Sequence, residues 1–241
     1  MNGSVLSLWA HLADTPLFWL GFTLLAYLVA VIVYQRSGSN PLLLPVLTAV
    51  ILVVCFLYAT GTSYLVYAQH TWFLQFLIGP ATVALAIPLY GQLDRLKRMF
   101  WPVMVALLAG SATAILSAIG IAWALGASFQ TQVSLGPKSA TMPIAMEAAA
   151  LSGGLPSLTT VAVAITGISG AMLAGMLFRM SSVKDPAIQG FSLGLSAHAI
   201  GVARAFQTHE TAGAFAALGM GLNGIATAVL LPILLSLLAL F

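Results

Sequence analysis

A chain of 241 residues with 61% hydrophobic residues, 5% charged residues and a mean hydropathy of +1.06 is excluded from the soluble globular classes. Its formal charge of +3 sits in short segments between apolar runs, which is the pattern of loops at one membrane face and not of a nucleic-acid surface. The single cysteine, Cys55, excludes an internal disulfide and reads as a small hydrophobe.

No Asp, Glu, Lys or Arg occurs in 15–35, 37–93, 99–137, 148–178 or 211–241. A span needs about 20 mostly apolar residues, so each run holds at least one transmembrane helix. Runs this apolar exclude a β-barrel, whose strands alternate polar and apolar residues. The fold class expected is all-α: a polytopic transmembrane bundle with full spans at about 16–35, 42–60, 71–91, 101–125, 157–179 and 211–240. The first basic residue, Arg36, follows the first apolar run, so no cleavable signal peptide is expected.

In chain order, Arg36 follows the first span, Q-L-D-R-L-K-R (92–98) the third, and Arg179 with Lys184 the fifth. The intervening loops around 64–70 and 126–134 carry no Lys or Arg. The positive-inside rule therefore places both termini outside and the three basic loops in the cytoplasm. Asp94, Arg95, Lys97 and Arg98 read as a topology determinant. Tyr64, Tyr67 and Trp72 suit the outer interface and Trp101 the inner one.

Two stretches, 136–154 and 189–207, break the simple count. Both are rich in small residues, interrupted by glycine, and carry ionisable groups. Read as re-entrant hairpins, the first dips in from outside and the second from inside, each followed by one full helix. This is the arrangement of an inverted-repeat transporter with its site between the hairpins. Read as full crossings, they would put Arg179 and Lys184 outside, against the charge rule. The chain is expected to be one integral membrane domain, 1–241. Residues 1–130 would give scaffold spans and a dimer contact, and 131–241 the substrate site. G-P-A-T-V-A-L-A-I-P (79–88) echoes G-P-K-S-A-T-M-P (136–143), so the third span also has the marks of a break.

Gly136-Pro137 followed by Lys138, Ser139 and Thr141 reads as a helix start, whose free N–H groups favour an anion. Lys138 would add a charge, and Ser139 and Thr141 hydroxyls; Pro143 would then free backbone groups lining a cavity. The structural alternative is that Lys138 snorkels to the surface. Glu147 would carry a coupled proton or pair with Lys138. Arg204 suits a carboxylate, and His198 would bind substrate or couple a proton; a break near Gly201 would be needed to bring the two together. The structural alternative for His198 is a hydrogen-bonded packing residue. His209 and Glu210 read as solvated. Asn223, in G-M-G-L-N-G (219–224), would support a hairpin tip, bond between helices or touch substrate. Gly167, Gly170 and Gly175 allow close helix contact. No catalytic, metal or cofactor motif is present, so no enzyme, metal site or cofactor is expected.

G-P-K-S-A-T-M-P-I-A (136–145), G-L-S-A-H-A-I-G-V-A-R-A (194–205) and G-P-A-T-V-A-L-A-I-P-L-Y (79–90) resemble the LrgB/CidB family. That family takes in the bacterial YohK proteins and, as a fused domain, the plastidial glycolate/glycerate translocator. The resemblance runs from about residue 15 to the end. The family more often has valine where this chain has Ala140 and threonine where it has Val202; the second change would remove a hydroxyl from the site. The resemblance implies a bacterial inner-membrane protein. It implies either export or exchange of small monocarboxylates such as glycolate, glycerate, lactate or pyruvate, or holin/antiholin-like control of murein hydrolase release and lysis. The expected site is Lys138, Ser139, Thr141, Ser196, His198, Arg204 and Asn223 for substrate, with Glu147 and His198 for a proton. The expected partners are the bilayer, a small carboxylate, a second copy of the chain and a small LrgA/CidA-type membrane protein, with no nucleic acid.

Overall fold

The structure is a computed structural model and describes residues 14–38 and 40–238. Every regular element among the described residues is helical. The chain forms two compact units, 1–84 and 85–241. Residues 85–130 thus fold with the two broken segments and not with the first spans.

In the first unit, α1 (Pro16–Arg36) starts on a proline in its first turn, where no donor is lost. Trp19, Ala26, Ala30 and Tyr34 form its buried stripe, while Leu17, Leu24, Leu25 and Leu28 face outward. An apolar residue left outward in a membrane helix meets lipid tails. α2 (Pro45–Thr60) ends on Gly61, whose φ of 67° supplies the left-handed cap. α3 (Tyr64–His70) turns 120° away from it. The expected span 42–60 is therefore a 16-residue helix bent into a short second piece. Trp19 lies edge-on to Phe22, Phe56 and Tyr67, and the Thr23 and Tyr67 hydroxyls are 3.0 Å apart. α4 (Trp72–Ala84) closes the unit.

The second unit begins with α5 (Ala86–Tyr90), and Leu85 before it keeps helical dihedrals, φ −63° and ψ −16°; Trp72–Tyr90 counts as one 19-residue apolar helix, so the discontinuity that its sequence echo suggested amounts to no bend. α6 (Leu93–Arg98) carries the basic cluster. α7 (Phe100–Ala124), α10 (Pro156–Met180) and α12 (Glu210–Leu238) are full-length spans. Among the described residues five helices are long and apolar enough to cross a membrane, and α2 with α3 makes a sixth if counted as one broken span.

Two re-entrant hairpins complete this unit. The first is α8 (Phe129–Leu135), a turn over 136–141, and α9 (Met142–Leu151). Ser134, near the end of α8, accepts from Leu155 N–H at 2.7 Å, and Thr159 Oγ1 donates to the Ser134 carbonyl at 2.9 Å. The chain thus leaves Ser134, turns at its tip and returns beside its own starting point. The second hairpin is α11 (Pro186–Thr208), which reverses at His198, where φ is 42° and ψ is −134°. A Cβ on Gly201 would lie 2.3 Å from the carbonyl oxygen of Leu193. In a straight helix, residues eight apart are separated by about 12 Å. The limbs 186–197 and 199–208 therefore lie against each other.

The hairpins enter from opposite ends of the unit. The first opens beside Trp123 of α7 and Leu235 and Leu238 of α12, which line one groove with Phe129 at the start of α8. The second opens where Val103 and Leu107 of α7 meet Ala187 and Phe215. Hairpin plus span, repeated in reverse orientation, is the inverted arrangement expected from sequence. Its bounds are wider, 129–151 and 186–208 in place of 136–154 and 189–207.

The second hairpin lies close against α12. A Cβ on Gly190 would come 2.0 Å from the Ala212 carbonyl oxygen, and one on Gly194 would come 1.9 Å from that of Ala216. Small residues four apart on both surfaces let the backbones touch, which is how membrane helices gain packing without a hydrophobic driving force.

Candidate functional site

The two hairpin tips meet at one buried amide. Asn223, 1% exposed in α12, donates from Nδ2 to the Ser139 carbonyl and to the Leu195 carbonyl, both at 3.0 Å. Its Oδ1 accepts from Ser111 Oγ of α7 at 2.7 Å. Carbonyls only accept, so this pairing fixes the amide orientation and uses both donors. Asn223 is thus a clasp joining both hairpins to α7 and α12, and it does not line the cavity described next.

That cavity, about 670 Å³, is bounded by α7, the first tip, α10 and the first limb of the second hairpin. Lys138, Ser139 and Ser196 line it, together with Thr113, Thr166, Ser169 and Ser192. Lys138 is the only charged residue in this lining among the described residues. Its Nζ lies 3.5 Å from Ser139 Oγ, and no described carboxylate comes within ion-pair distance of it. The rest of the wall is chiefly alanine, glycine, leucine and phenylalanine. A cation in such a chamber is costly without a counter-charge, and hydroxyls from four elements surround the space an anion would fill. Ser196 Oγ donates to the Ser192 carbonyl and Ser169 Oγ to the Ile165 carbonyl, both at 2.7 Å, so these two hydroxyls present lone pairs until they rotate.

The other expected site residues lie elsewhere. Gly136 caps the end of α8, and the helix after the turn begins at Met142, so Gly136-Pro137 ends a helix instead of starting one. Pro143 falls in the first turn of α9, where a missing N–H costs no bond, and breaks nothing. Thr141 is the N-cap of α9, half-buried and outside the cavity lining. Glu147 is exposed in a separate groove with Pro143, Ile144 and Pro232, and does not pair with Lys138.

His198 is 4% exposed at the second tip. Its Nε2 donates to the Val163 carbonyl of α10 at 3.0 Å, and its ring packs on Gly167, where a Cβ would come 2.5 Å from Cε1. The break lies at His198 itself and not near Gly201. A positive φ on a non-glycine residue costs about 1–3 kcal/mol and survives only where the surroundings fix it; the bond to α10 is such a fixture. His198 is therefore an anchor and is not brought to Arg204.

Arg204 lies on the returning limb and lines a second cavity of about 460 Å³ with Arg179 and Lys184. The two cations expected to share one carboxylate, Lys138 and Arg204, thus line different chambers. Val202 is buried in the apolar cluster between hairpin and α12, so the missing threonine hydroxyl takes nothing from either cavity.

The sequence reading also passed over Asp185. Arg95 donates to both of its carboxylate oxygens at 2.6 Å and lies 5.7 Å over the Phe215 ring, while Asp185 Oδ1 caps Ala187 N–H at 2.8 Å. Asp followed by Pro186 is a helix-start signature that sequence alone could have yielded. Thr113, Thr166, Ser169 and Ser192 were missed because single hydroxyls on apolar helices carry no distinguishing pattern.

The LrgB-like family model matches residues 23–237. Among similar proteins, "Antiholin-like protein LrgB" of Bacillus cereus (strain B4264) and that of Bacillus anthracis (strain CDC 684 / NRRL 3495) are each 30% identical over 218 residues, covering 90% of this chain and 95% of theirs. No solved structure matches the chain. A match from the first span to the last, through both hairpins, makes this multi-pass membrane protein a member of the LrgB-like family.

Proposed function

We propose that the protein is a secondary carrier for small monocarboxylate anions of the glycolate, glycerate, lactate or pyruvate class, in a bacterial inner membrane. The observation that carries this reading is Lys138: a lone cation on a hydroxyl-bearing cavity between two oppositely entering hairpins. A carboxylate would supply the missing counter-charge. Ser139, Ser192 and Ser196 would bond its oxygens and a neighbouring hydroxyl or keto group, and the apolar wall would limit cargo to a few carbons. Inverted hairpins with a site at their meeting point are also the architecture that lets one half move against the other to expose the site alternately.

The test is uptake of radiolabelled glycolate, lactate and pyruvate into proteoliposomes, with and without a pH gradient. Removing one partner of a buried charge pair costs about 3–5 kcal/mol, which lowers affinity by roughly a hundred-fold or more. Lys138→Ala should therefore abolish saturable uptake, while Lys138→Arg should retain part of it. Wild-type protein that is inserted and folded yet moves none of these acids would refute the carrier reading.

The printed names of the relatives favour a second reading, an antiholin-like component that acts by assembling with itself or with a small membrane partner. Such a protein needs no charged cavity. Its activity in a lysis assay should survive Lys138→Ala, whereas a lysis effect arising from carboxylate flux should disappear with uptake in the same variant.

A further inference from the structure

The chamber lined by Arg179, Lys184 and Arg204 adjoins the Lys138 cavity. The two share Ala174, Phe178 and Leu193 in their walls. Leu193, 5% exposed, packs in one cluster with Ala174, with Phe178 against it. These side chains are the partition. On the outer side of it stand three cations and no lining carboxylate among the described residues; on the inner side stands Lys138.

The backbone around the partition has little freedom. The Leu193 carbonyl is covered by Gly201 of the returning limb, and the first limb, which carries Leu193, is pressed to α12 through Gly190 and Gly194. The outer chamber's wall is held by Gln189, whose Nε2 donates to the Val183 carbonyl at 2.7 Å. What can move is the side chain of Leu193, which faces the small Ala174, and the ring of Phe178. A side chain changes rotamer far faster than helices shift, and a single leucine turning toward the small Ala174 can open a path without unpacking the hairpin.

We propose that Phe178 and Leu193 form a gate between the Lys138 cavity and a cation-lined vestibule, and that this vestibule is a second, staging site for small anions on the same path. Arg179, Lys184 and Arg204 would concentrate anions at the mouth of the chamber by focusing the field between low-dielectric walls. The identity of the cargo as a monocarboxylate rests on the carrier reading above, whereas the gate and its preference for anions do not.

The test uses full-length protein with Cys55→Ala, bearing Ser196→Cys in the inner cavity or Ser182→Cys in the vestibule. Labelling rates are measured in sealed vesicles of both orientations with an anionic and a cationic methanethiosulfonate. From the vestibule side, the Ser182→Cys site should react faster with the anionic reagent, and Arg204→Gln should erase that preference. The Ser196→Cys site should react slowly from that side. The observed rate scales with the open fraction, so a gate open about a tenth of the time gives a roughly ten-fold rise when Leu193→Ala removes it. Phe178→Ala should act in the same direction and guards against misfolding of the leucine variant; the Ser182→Cys rate, unchanged by either, reports intact structure. A Ser196→Cys rate indifferent to both substitutions would overturn the gate, and equal reagent rates at Ser182→Cys would overturn the anion vestibule. Gate effects seen without uptake of any acid would defeat the carrier reading alone.

Discussion

At the scale of single residues the second unit turns on Asn223, whose amide bonds both hairpin tips at once. Leaving a buried acceptor unpaired costs about 1–3 kcal/mol. Asn223→Ala strands two carbonyls and the Ser111 hydroxyl, so it should lower stability by at least that range in a thermal unfolding assay in detergent. Asn223→Asp is the sharper variant, because it turns oxygen toward oxygen; it should be worse than alanine although it is nearly isosteric. An aspartate variant as stable as wild type would mean the tips are held by something else. Sequence made Asn223 conspicuous as a polar residue in an apolar span, but only the fold could say that its partners lie 84 and 28 residues away. Lys138, Ser139 and Ser196 were legible as cavity candidates for a related reason: a cation beside hydroxyls in broken, glycine-rich sequence stands out in so apolar a chain. Arg204 shows the limit of that logic. It shares the signature of Lys138, yet the limb carrying it turns toward a different chamber, and limb direction depends on where the reversal falls.

At the scale of elements, both hairpins were legible as interruptions and their limits were not. F-Q-T-Q-V-S-L (129–135) is polar enough to read as a loop, but it is α8, satisfied by the cap at Ser128 and by the Ser134 bonds to the start of α10. In the second hairpin glycine marked the wrong position for the reversal. Gly201 is needed for close approach to Leu193, while the turn itself falls on His198, a residue that backbone statistics disfavour there. The close packing of this hairpin on α12 yields a direct test. Gly194→Ala would put a methyl 1.9 Å from a backbone oxygen, whereas Gly221→Ala, on the same helix pair's other partner, meets nothing within 4 Å. Overpacking of this kind costs about 1–3 kcal/mol or more. Gly194→Ala should lower the melting temperature and the yield of folded protein, and Gly221→Ala should leave both near wild type, as read by fluorescence-detected size exclusion after heating. Equal behaviour of the two variants would mean the hairpin can lift from α12 without cost.

At the scale of the whole molecule, a re-entrant hairpin returns the chain to the face it left, so each of the two adds helices without adding a crossing. That is why apolar length alone misleads here: α11 has 23 residues, long enough to span, yet both of its ends lie at one face. The ion pair of Arg95 with Asp185 ties the α6 basic cluster to the mouth of the second hairpin and to the loop holding Lys184. Because the two side chains are 32% and 40% exposed, the strength of the pair is modest, about 1 kcal/mol or less; its role is to gather Arg95, Lys97, Arg98, Arg179 and Lys184 at one end of the unit. Five basic residues at one face make a strong topology signal, and the positive-inside rule predicts a cytoplasmic position for that face. Lys184→Cys on the Cys55→Ala background should then be inaccessible to an impermeant maleimide in intact cells and react fully once the cells are opened, while Ser128→Cys, at the mouth of the first hairpin, should show the reverse. Labelling of Lys184→Cys from outside would invert the whole unit, and with it the direction in which the cation-lined vestibule faces.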